Sequence, residues 1–265
     1  MKAEFLLNKP LFPAGGPGGD EAAALLAKFG PVETWVFDLD NTLYPSDSEL
    51  WPQIDQRITL FLANLFGLDG LSARALQKYY YRRYGITLRG LIEEDHIDPA
   101  DFLEFVHDID RSSLAPNVAL AAEIAALPGR KLIFTNGSRN HALRTAAQLG
   151  LGALFEDAFD IVAADFTPKP AAAAYDSFFA KHGVDPKRAA MFEDIARNLL
   201  VPHVRGMTTI LVAPRAGQTD YRQASDRIEE DSPSIDFVTN DLTGFLQAVN
   251  AGLRLVRPLS AAAGD

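Results

Sequence analysis

The chain has 265 residues, a formal net charge of −10, 48% hydrophobic residues including 17 Phe, and no cysteine. Its length suits one large α/β domain, or a core domain carrying a smaller insertion, with ample apolar material for a core. The acidity disfavours nucleic-acid polymers and anionic membranes as partners. The absence of cysteine excludes disulfides, thiolate nucleophiles and Cys-based zinc or iron–sulfur sites.

At the start, Met1 to Pro10 carries no long apolar core behind basic residues. No secretory signal is expected, and a cytoplasmic location fits a chain without disulfides. Residues 10–20 read PLFPAGGPGGD. With no strand before it and no lysine close behind, this is a flexible segment rather than a phosphate-cradling loop. Residues 1–30 are therefore set aside as a flexible N-terminal segment.

Short apolar runs then alternate with helical patterns. The runs are Thr34–Phe37, Lys131–Phe134, Ile161–Ala163, Ala190–Phe192 and Thr209–Val212, with Asp236–Val238 as a last, edge strand. Such runs suit buried parallel strands. Between them, Ser138 caps a helix that reaches about Leu149 and stops at Gly150. Pro170 fits a first helical position, with Gly183 closing the helix Ala171–His182. Another helix runs from Asn198 to Arg205 and ends at Gly206. The alternation predicts an α/β fold: a Rossmann-like parallel sheet with helices on both faces. Residues 214–235 fit either a loop or a helix.

From about Pro45 to Pro116 the alternation stops. Trp51, Ile54, Ile58, Phe61 and Leu65 recur at helical spacing, and further helices fit Ala73–Tyr84 and Pro99–Asp108. This is a helical insertion after the first strand, where ligands bind in open α/β folds. A helical cap over the site follows. The expected organisation is a core of 31–44 and 117–250, a cap of 45–116 and a tail of 251–265. No stretch is apolar for long enough to span a bilayer; the nearest, Val118 to Leu127, is short and interrupted by Glu123.

Four sites carry chemistry. Asp38 and Asp40 end the first strand, and Asp-x-Asp there serves either as turn and helix-capping residues or as a cation site with a nucleophile. Thr135-Asn136 ends the second; by itself it is a common strand-to-helix turn, but a hydroxyl and a following N–H can also hold a phosphoryl oxygen. Lys169 lies between Pro168 and Pro170, stiffly held before a helix, where it is either a solvated surface lysine or a partner for a phosphate and the attacking carboxylate. Glu193 and Asp194 end the fourth strand, and Asp194 suits Mg²⁺. Glu193 fits a helix N-terminus equally well.

Together, in this order, Asp38-x-Asp40-Asn41-Thr42, Thr135-Asn136, Lys169-Pro170 and Glu193-Asp194 resemble the four motifs of the haloacid dehalogenase superfamily. The resemblance covers roughly residues 31–250. FDLDNTLYP (Phe37–Pro45), FEDIARNL (Phe192–Leu199) and YYYRRYGITLRGL (Tyr79–Leu91) look most like its pyrimidine 5′-nucleotidase branch.

The resemblance implies a Mg²⁺-dependent phosphatase acting on a small phosphate ester. Asp38 would be the nucleophile and Asp40 the acid–base. Thr135 and the Asn136 amide would hold phosphoryl oxygens, and Lys169 would offset charge. Mg²⁺ would bind Asp38, the Asp40 carbonyl and Asp194. Dehalogenase members lack an acid at the Asp40 position, so its presence points to phosphate ester hydrolysis or phosphoryl transfer. Asn198 stands where a further acid often occurs. In the cap, Tyr79, Tyr80, Tyr81 and Tyr84 are candidates to stack on a base, and Arg82, Arg83 and Arg89 to meet anionic groups. The five histidines show no metal-ligand spacing, and none is needed by this mechanism; His107 and His182 read as surface or interface residues. The substrate is expected to be a pyrimidine nucleoside 5′-monophosphate; the alternatives are a phosphatase for a sugar phosphate or pyridoxal phosphate, a phosphomutase, or a non-catalytic binding protein on the same fold. The sequence sets no oligomeric state.

Overall fold

The computed structural model describes residues 25, 27–215, 217–222, 226 and 232–256. Six strands form one sheet: β1 (Thr34–Phe37), β2 (Arg130–Phe134), β3 (Asp157–Phe159), β4 (Ala189–Glu193), β5 (Thr208–Val212) and β6 (Phe237–Thr239). All neighbours are parallel, in the order β3-β2-β1-β4-β5-β6. The α/β Rossmann-like fold is thus present.

Alternation along each strand divides the core into two layers. Trp35, Phe37, Ile133, Phe192 and Ile210 face α5 (Val118–Ala126), α6 (Arg139–Gln148) and α9 (Leu242–Val256). Val36, Leu132, Phe134, Met191 and Leu211 face α7 (Ala172–His182) and the turn leading into α8 (Leu200–Arg205). Phe37 stacks on Phe192 with ring centroids 4.6 Å apart, binding β1 to β4 from one face. At Gly129 (φ +79°) a Cβ would lie 2.2 Å from the Glu33 carbonyl oxygen, so only glycine lets β2 enter beside β1.

Between β1 and α5, the helices α1 (Leu50–Phe66), α2 (Gly70–Tyr84), α3 (Thr87–Asp95) and α4 (Pro99–His107) form the insertion. Its boundaries follow local chemistry. Asp69 accepts from the Leu71 and Ser72 amides to open α2, and Asp98 caps α4 with Pro99 at its first position. The insertion has its own apolar cluster, including Leu62, Ala73, Tyr80, Leu88, Leu91, Phe102 and Val106. Among the described residues no helix is long and apolar enough to cross a membrane.

Several expectations need correction. The third strand is Asp157–Phe159, while 161–163 form a turn. The Asp160 carboxylate accepts from the Arg139 and Ala163 amides and bends the chain, and Ile161 is buried against the insertion's cluster. Pro170 follows a cis peptide bond, and α7 begins two residues later at Ala172. The described part of the segment before residue 31 belongs to the core: Leu25 and Phe29 are buried there. At the other end α9 continues past residue 250, with Leu253 buried, so the core does not stop there. Residues 10–20 lie outside the described residues. Of 214–235, the described part holds no α-helix.

Candidate active site

The site lies at the carboxyl edge of the sheet. β2 and β3 lie to one side of β1 and β4–β6 to the other, so the winding reverses at β1, where a crevice opens. β1 delivers Asp38, whose amide donates to the Phe192 carbonyl at 2.9 Å and keeps it in register with β4. The chain then turns through Asn41 (φ +60°), and both Asp38 and Asp40 face one cavity. β2 delivers Thr135 and Asn136; β4 delivers Glu193 and Asp194. Lys169 comes from the loop after β3. All six predicted site residues (Asp38, Asp40, Thr135, Asn136, Lys169 and Asp194) line the same cavity of about 190 Å³, with Glu193 beside them.

Lys169 is 1% exposed, and its ammonium is fully engaged. It donates to Asp38 Oδ1 at 2.7 Å, to the Phe134 carbonyl at 2.8 Å and to Glu193 Oε1 at 2.8 Å. Asn136 holds its backbone from both sides: Oδ1 accepts from the Lys169 amide at 2.9 Å, and Nδ2 donates to the Lys169 carbonyl at 3.2 Å. Thr135 Oγ1 accepts from the Gly137 amide at 2.9 Å, which leaves its own proton free to donate into the cavity.

Electrostatics are dominated by crowded acids. Burial pushes the Asp38 carboxyl up to about 7 despite Lys169, with Glu193 and Asp40 adding in the same direction. Burial and the neighbouring Glu193 and Asp38 also raise Asp194 well above the ordinary range. Burial alone would lower Lys169, but Asp38 and Glu193 outweigh it and raise it. For Asp40, burial is likewise outweighed. Attraction to the His141 ring and hydrogen bonds from His141 and Tyr44 hold it below the ordinary carboxylate range.

Asp38, Glu193 and Asp194 present carboxylate oxygens within 4.8 Å of one another. Glu193 is largely committed: Oε1 accepts from Lys169 and from Asn198 Nδ2 at 2.7 Å, and Oε2 from the Ile195 amide at 2.6 Å. It therefore does both: one oxygen braces Lys169, and the other holds the amide at the start of the 3-10 turn Ala196–Leu199. Asp194 accepts no side-chain hydrogen bond among the described residues, although it is 6% exposed. Three buried carboxylates against one ammonium is a donor set that fits a divalent cation.

Histidines enter where none was expected. His141 is fully buried, with Nε2 2.8 Å from Asp40 Oδ1. His107 is an interface residue within the chain: half-buried, it lines the cavity and stacks across from the insertion onto His141 of the core with centroids 4.4 Å apart. Burial, with His141 beside it, lowers His107 to about 3. The signal for His141 was present: positions 141, 142, 145 and 146 form the buried stripe of α6, so His141 occupies a core position. Tyr44, whose hydroxyl donates to Asp40 Oδ1 at 2.6 Å, was also missed.

The tyrosine expectation also needs correction. Of Tyr79, Tyr80, Tyr81 and Tyr84, only Tyr81 lines the cavity. Tyr80 is buried within the insertion and bonds Asp95, while Tyr79 and Tyr84 turn to Glu94. Arg82 is exposed, Arg83 pairs with Glu94, and Arg89 pairs with Glu93 and the Phe166 carbonyl. Arg74, Gln77 and Lys78 share the Tyr81 stripe of α2 at helical spacing and line the cavity instead.

A family model described as haloacid dehalogenase-like hydrolase matches residues 32–201. The chain belongs to the haloacid dehalogenase-like hydrolase family. Phosphate metabolism protein 8 of Saccharomyces cerevisiae is 32% identical over 136 residues, covering 47% of this chain and 42% of that protein. The match therefore spans less than half the length of that relative. In fold, the chain is similar to L-2-haloacid dehalogenase of Xanthobacter autotrophicus (TM-score 0.51, 19% identity, 86% of this chain and 100% of that one). It is equally similar to a phosphatase of the family from Thermococcus onnurineus (TM-score 0.51, 15% identity, 82% and 97%). At these identities the likeness is one of fold alone. A hydrolase of this family it is; the choice between ester and halide rests on the site.

Proposed function

We propose that the protein is a Mg²⁺-dependent phosphomonoesterase acting through an aspartyl-phosphate on Asp38. The observation that carries this is the convergence of Asp38, Asp40, Thr135, Lys169 and Asp194 on one cavity. Asp40 favours an ester over a halide, because a leaving alkoxide needs a proton and a leaving halide does not.

Asp38, Asp194 and the Asp40 main-chain carbonyl would hold the cation. When bound, it supplies the positive charge that lets a carboxylate approach an anionic ester. The Asp38 carboxylate attacks phosphorus, and the ester P–O bond breaks. Asp40 gives its proton to the departing oxygen. A bound phosphoryl group places negative charge beside Asp40 and opposes its ionisation, which favours proton uptake beforehand. Asp40 then takes a proton from the water that attacks the aspartyl-phosphate, releasing phosphate and restoring Asp38. Thr135 Oγ1 and the Asn136 amide hold phosphoryl oxygens, and Lys169 offsets charge where nucleophile and phosphate meet.

The helical insertion acts as a cap. Trp51, Ile54, Ile58, Leu103 and Val106 give the cavity an apolar wall, and Asp55, Gln77, Lys78 and Tyr81 a polar one. A wall of this composition suits a pyrimidine nucleoside 5′-monophosphate; pyridoxal phosphate or a sugar phosphate is the second reading. The test is phosphate release by purified protein from UMP, CMP, pyridoxal phosphate and sugar phosphates, with Mg²⁺ and with chelator, and 2-chloropropionate as the halide control. Preference for UMP and CMP with Mg²⁺ supports the reading. Chelator-insensitive turnover removes the metal. Halide release without phosphate release removes the ester, and no turnover at all favours a binding protein on this fold.

A further inference from the structure

The second oxygen of Asp40 is not equivalent to the first. Oδ1 accepts the Tyr44 hydroxyl at 2.6 Å and faces His141 Nε2 at 2.8 Å, while Oδ2 accepts nothing among the described residues. The hydrogen on His141 is fixed from its other side. Arg111 Nη2 lies 2.9 Å from His141 Nδ1. A guanidinium only donates, so Nδ1 accepts and carries no proton, and the ring hydrogen sits on Nε2, aimed at Asp40.

Arg111 has little freedom to release that ring. It is buried, and it donates also to the Ile109 and His107 carbonyls at 3.1 and 3.2 Å and to Thr145 Oγ1 at 3.2 Å. The His107 ring covers one face of the imidazole at an interplanar angle of 10°. Every rotation of His141 breaks one of these contacts.

We infer that His141, locked in one tautomer by Arg111, is a positioning residue for the acid–base step. By occupying Oδ1 together with Tyr44, it assigns the travelling proton to Asp40 Oδ2. An Oδ1 that accepts two hydrogen bonds cannot also bear a hydrogen without losing one of them. The proton therefore leaves Oδ2 for the ester oxygen as the P–O bond breaks, and Oδ2 recovers one from the attacking water. The inference rests on the acid–base reading of Asp40 and adds two residues outside the family's four motifs.

The test separates proton delivery from folding. For p-nitrophenyl phosphate the leaving group needs little protonation; for an alkyl ester such as UMP it needs a full proton. The value of kcat/KM reports steps up to phosphoenzyme formation, and kcat includes its breakdown. Because general acid–base catalysis contributes about 10²–10⁴-fold, His141→Phe, which keeps an aromatic ring in the stack but removes its N–H, is expected to lower kcat/KM for the alkyl ester by about tenfold or more. For the aryl ester kcat/KM should hold within about threefold, while kcat falls for both because breakdown needs the same carboxylate. His141→Gln, whose amide N–H reaches toward Oδ1, should recover part of the alkyl rate.

Equal losses of kcat/KM on both esters, or no loss on either, overturn the inference. If His141→Phe does not fold, Arg111→Met carries the same comparison, since it frees the tautomer while leaving the ring in place. Asp40→Asn keeps the two readings apart. If Asp40→Asn shows the leaving-group discrimination and the His141 and Arg111 variants do not, this inference fails alone. If the wild-type protein hydrolyses neither ester, the proposed function fails and takes this inference with it.

Discussion

Lys169 holds together the most highly charged part of the molecule, and its removal has a predictable cost. In Lys169→Met the aliphatic stem keeps its packing, but three hydrogen bonds go: those to Asp38, Glu193 and the Phe134 carbonyl. Asp38 and Glu193, at 6% and 1% exposure, are left without their shared cation. Breaking a buried pair by removing one partner costs about 3–5 kcal/mol. For a chain of this size each kcal/mol corresponds to roughly 2–4 °C, so the midpoint should fall by about 6–20 °C. Thermal unfolding followed by circular dichroism in chelator at neutral pH reads this directly. Repeating the scan with millimolar Mg²⁺ should return more of the midpoint to Lys169→Met than it adds to wild type. The added ion offsets the same carboxylates, and a ligand that binds only the folded state stabilises it. A variant melting within about 2 °C of wild type would show that the carboxylates find other partners, and that the charge balance described here is wrong.

Asp38→Asn should nearly abolish phosphate release while costing far less stability than Lys169→Met, because Lys169 keeps Glu193 and the Phe134 carbonyl; parallel turnover and melting measurements check both halves. Gly90→Ala should destabilise the insertion by about 1–3 kcal/mol, since its Cβ would lie 2.5 Å from the Tyr80 ring; hydrogen exchange in α2 and α3 should quicken before that of the sheet. Burial would raise Asp236, but the Lys28 ammonium at 2.6 Å and hydrogen bonds from Thr209 outweigh it and hold it below the ordinary carboxylate range. A depressed acid stabilises the fold above its unfolded pKa and loses that contribution as pH falls through the folded one. The stability gap between wild type and Asp236→Asn should therefore be full at pH 5 and shrink below about pH 4. Denaturant titrations across that range read it, with His203→Gln as a control for the imidazole 3.9 Å away.

How far the sequence discloses this molecule depends on whether a residue acts near its own strand end. Asp38, Thr135, Asn136, Lys169 and Asp194 each follow an apolar strand or precede a helix, and parallel β-α alternation sends all such positions to one edge. Their convergence was therefore legible. The third strand was misplaced because Ile161-Val162-Ala163 is more apolar than Asp157-Ala158-Phe159. Periodicity cannot tell that Ile161 is buried against the insertion rather than in the sheet. The tyrosine-rich helix failed for a related reason. Its composition suggested four stacking rings, but a helix turns only one stripe toward a ligand, and 74, 77, 78 and 81 are that stripe. Nothing within the helix says which stripe faces the core.

His141 marks the limit of motif reading. Its three partners come from separate stretches: Asp40 after β1, His107 at the end of α4, and Arg111 where the insertion returns to the core. No spacing along the chain encodes such a meeting, since each contact closes a loop of 30 residues or more. The placement is nonetheless economical physically. A catalytic acid must be held to within a fraction of an ångström. The chain meets that demand with groups from both ends of its insertion and from the first turn of α6. The seating of the insertion and the aim of Asp40 thus share one imidazole ring, so a substrate that shifts His107 also shifts the stack against which the acid's partner rests.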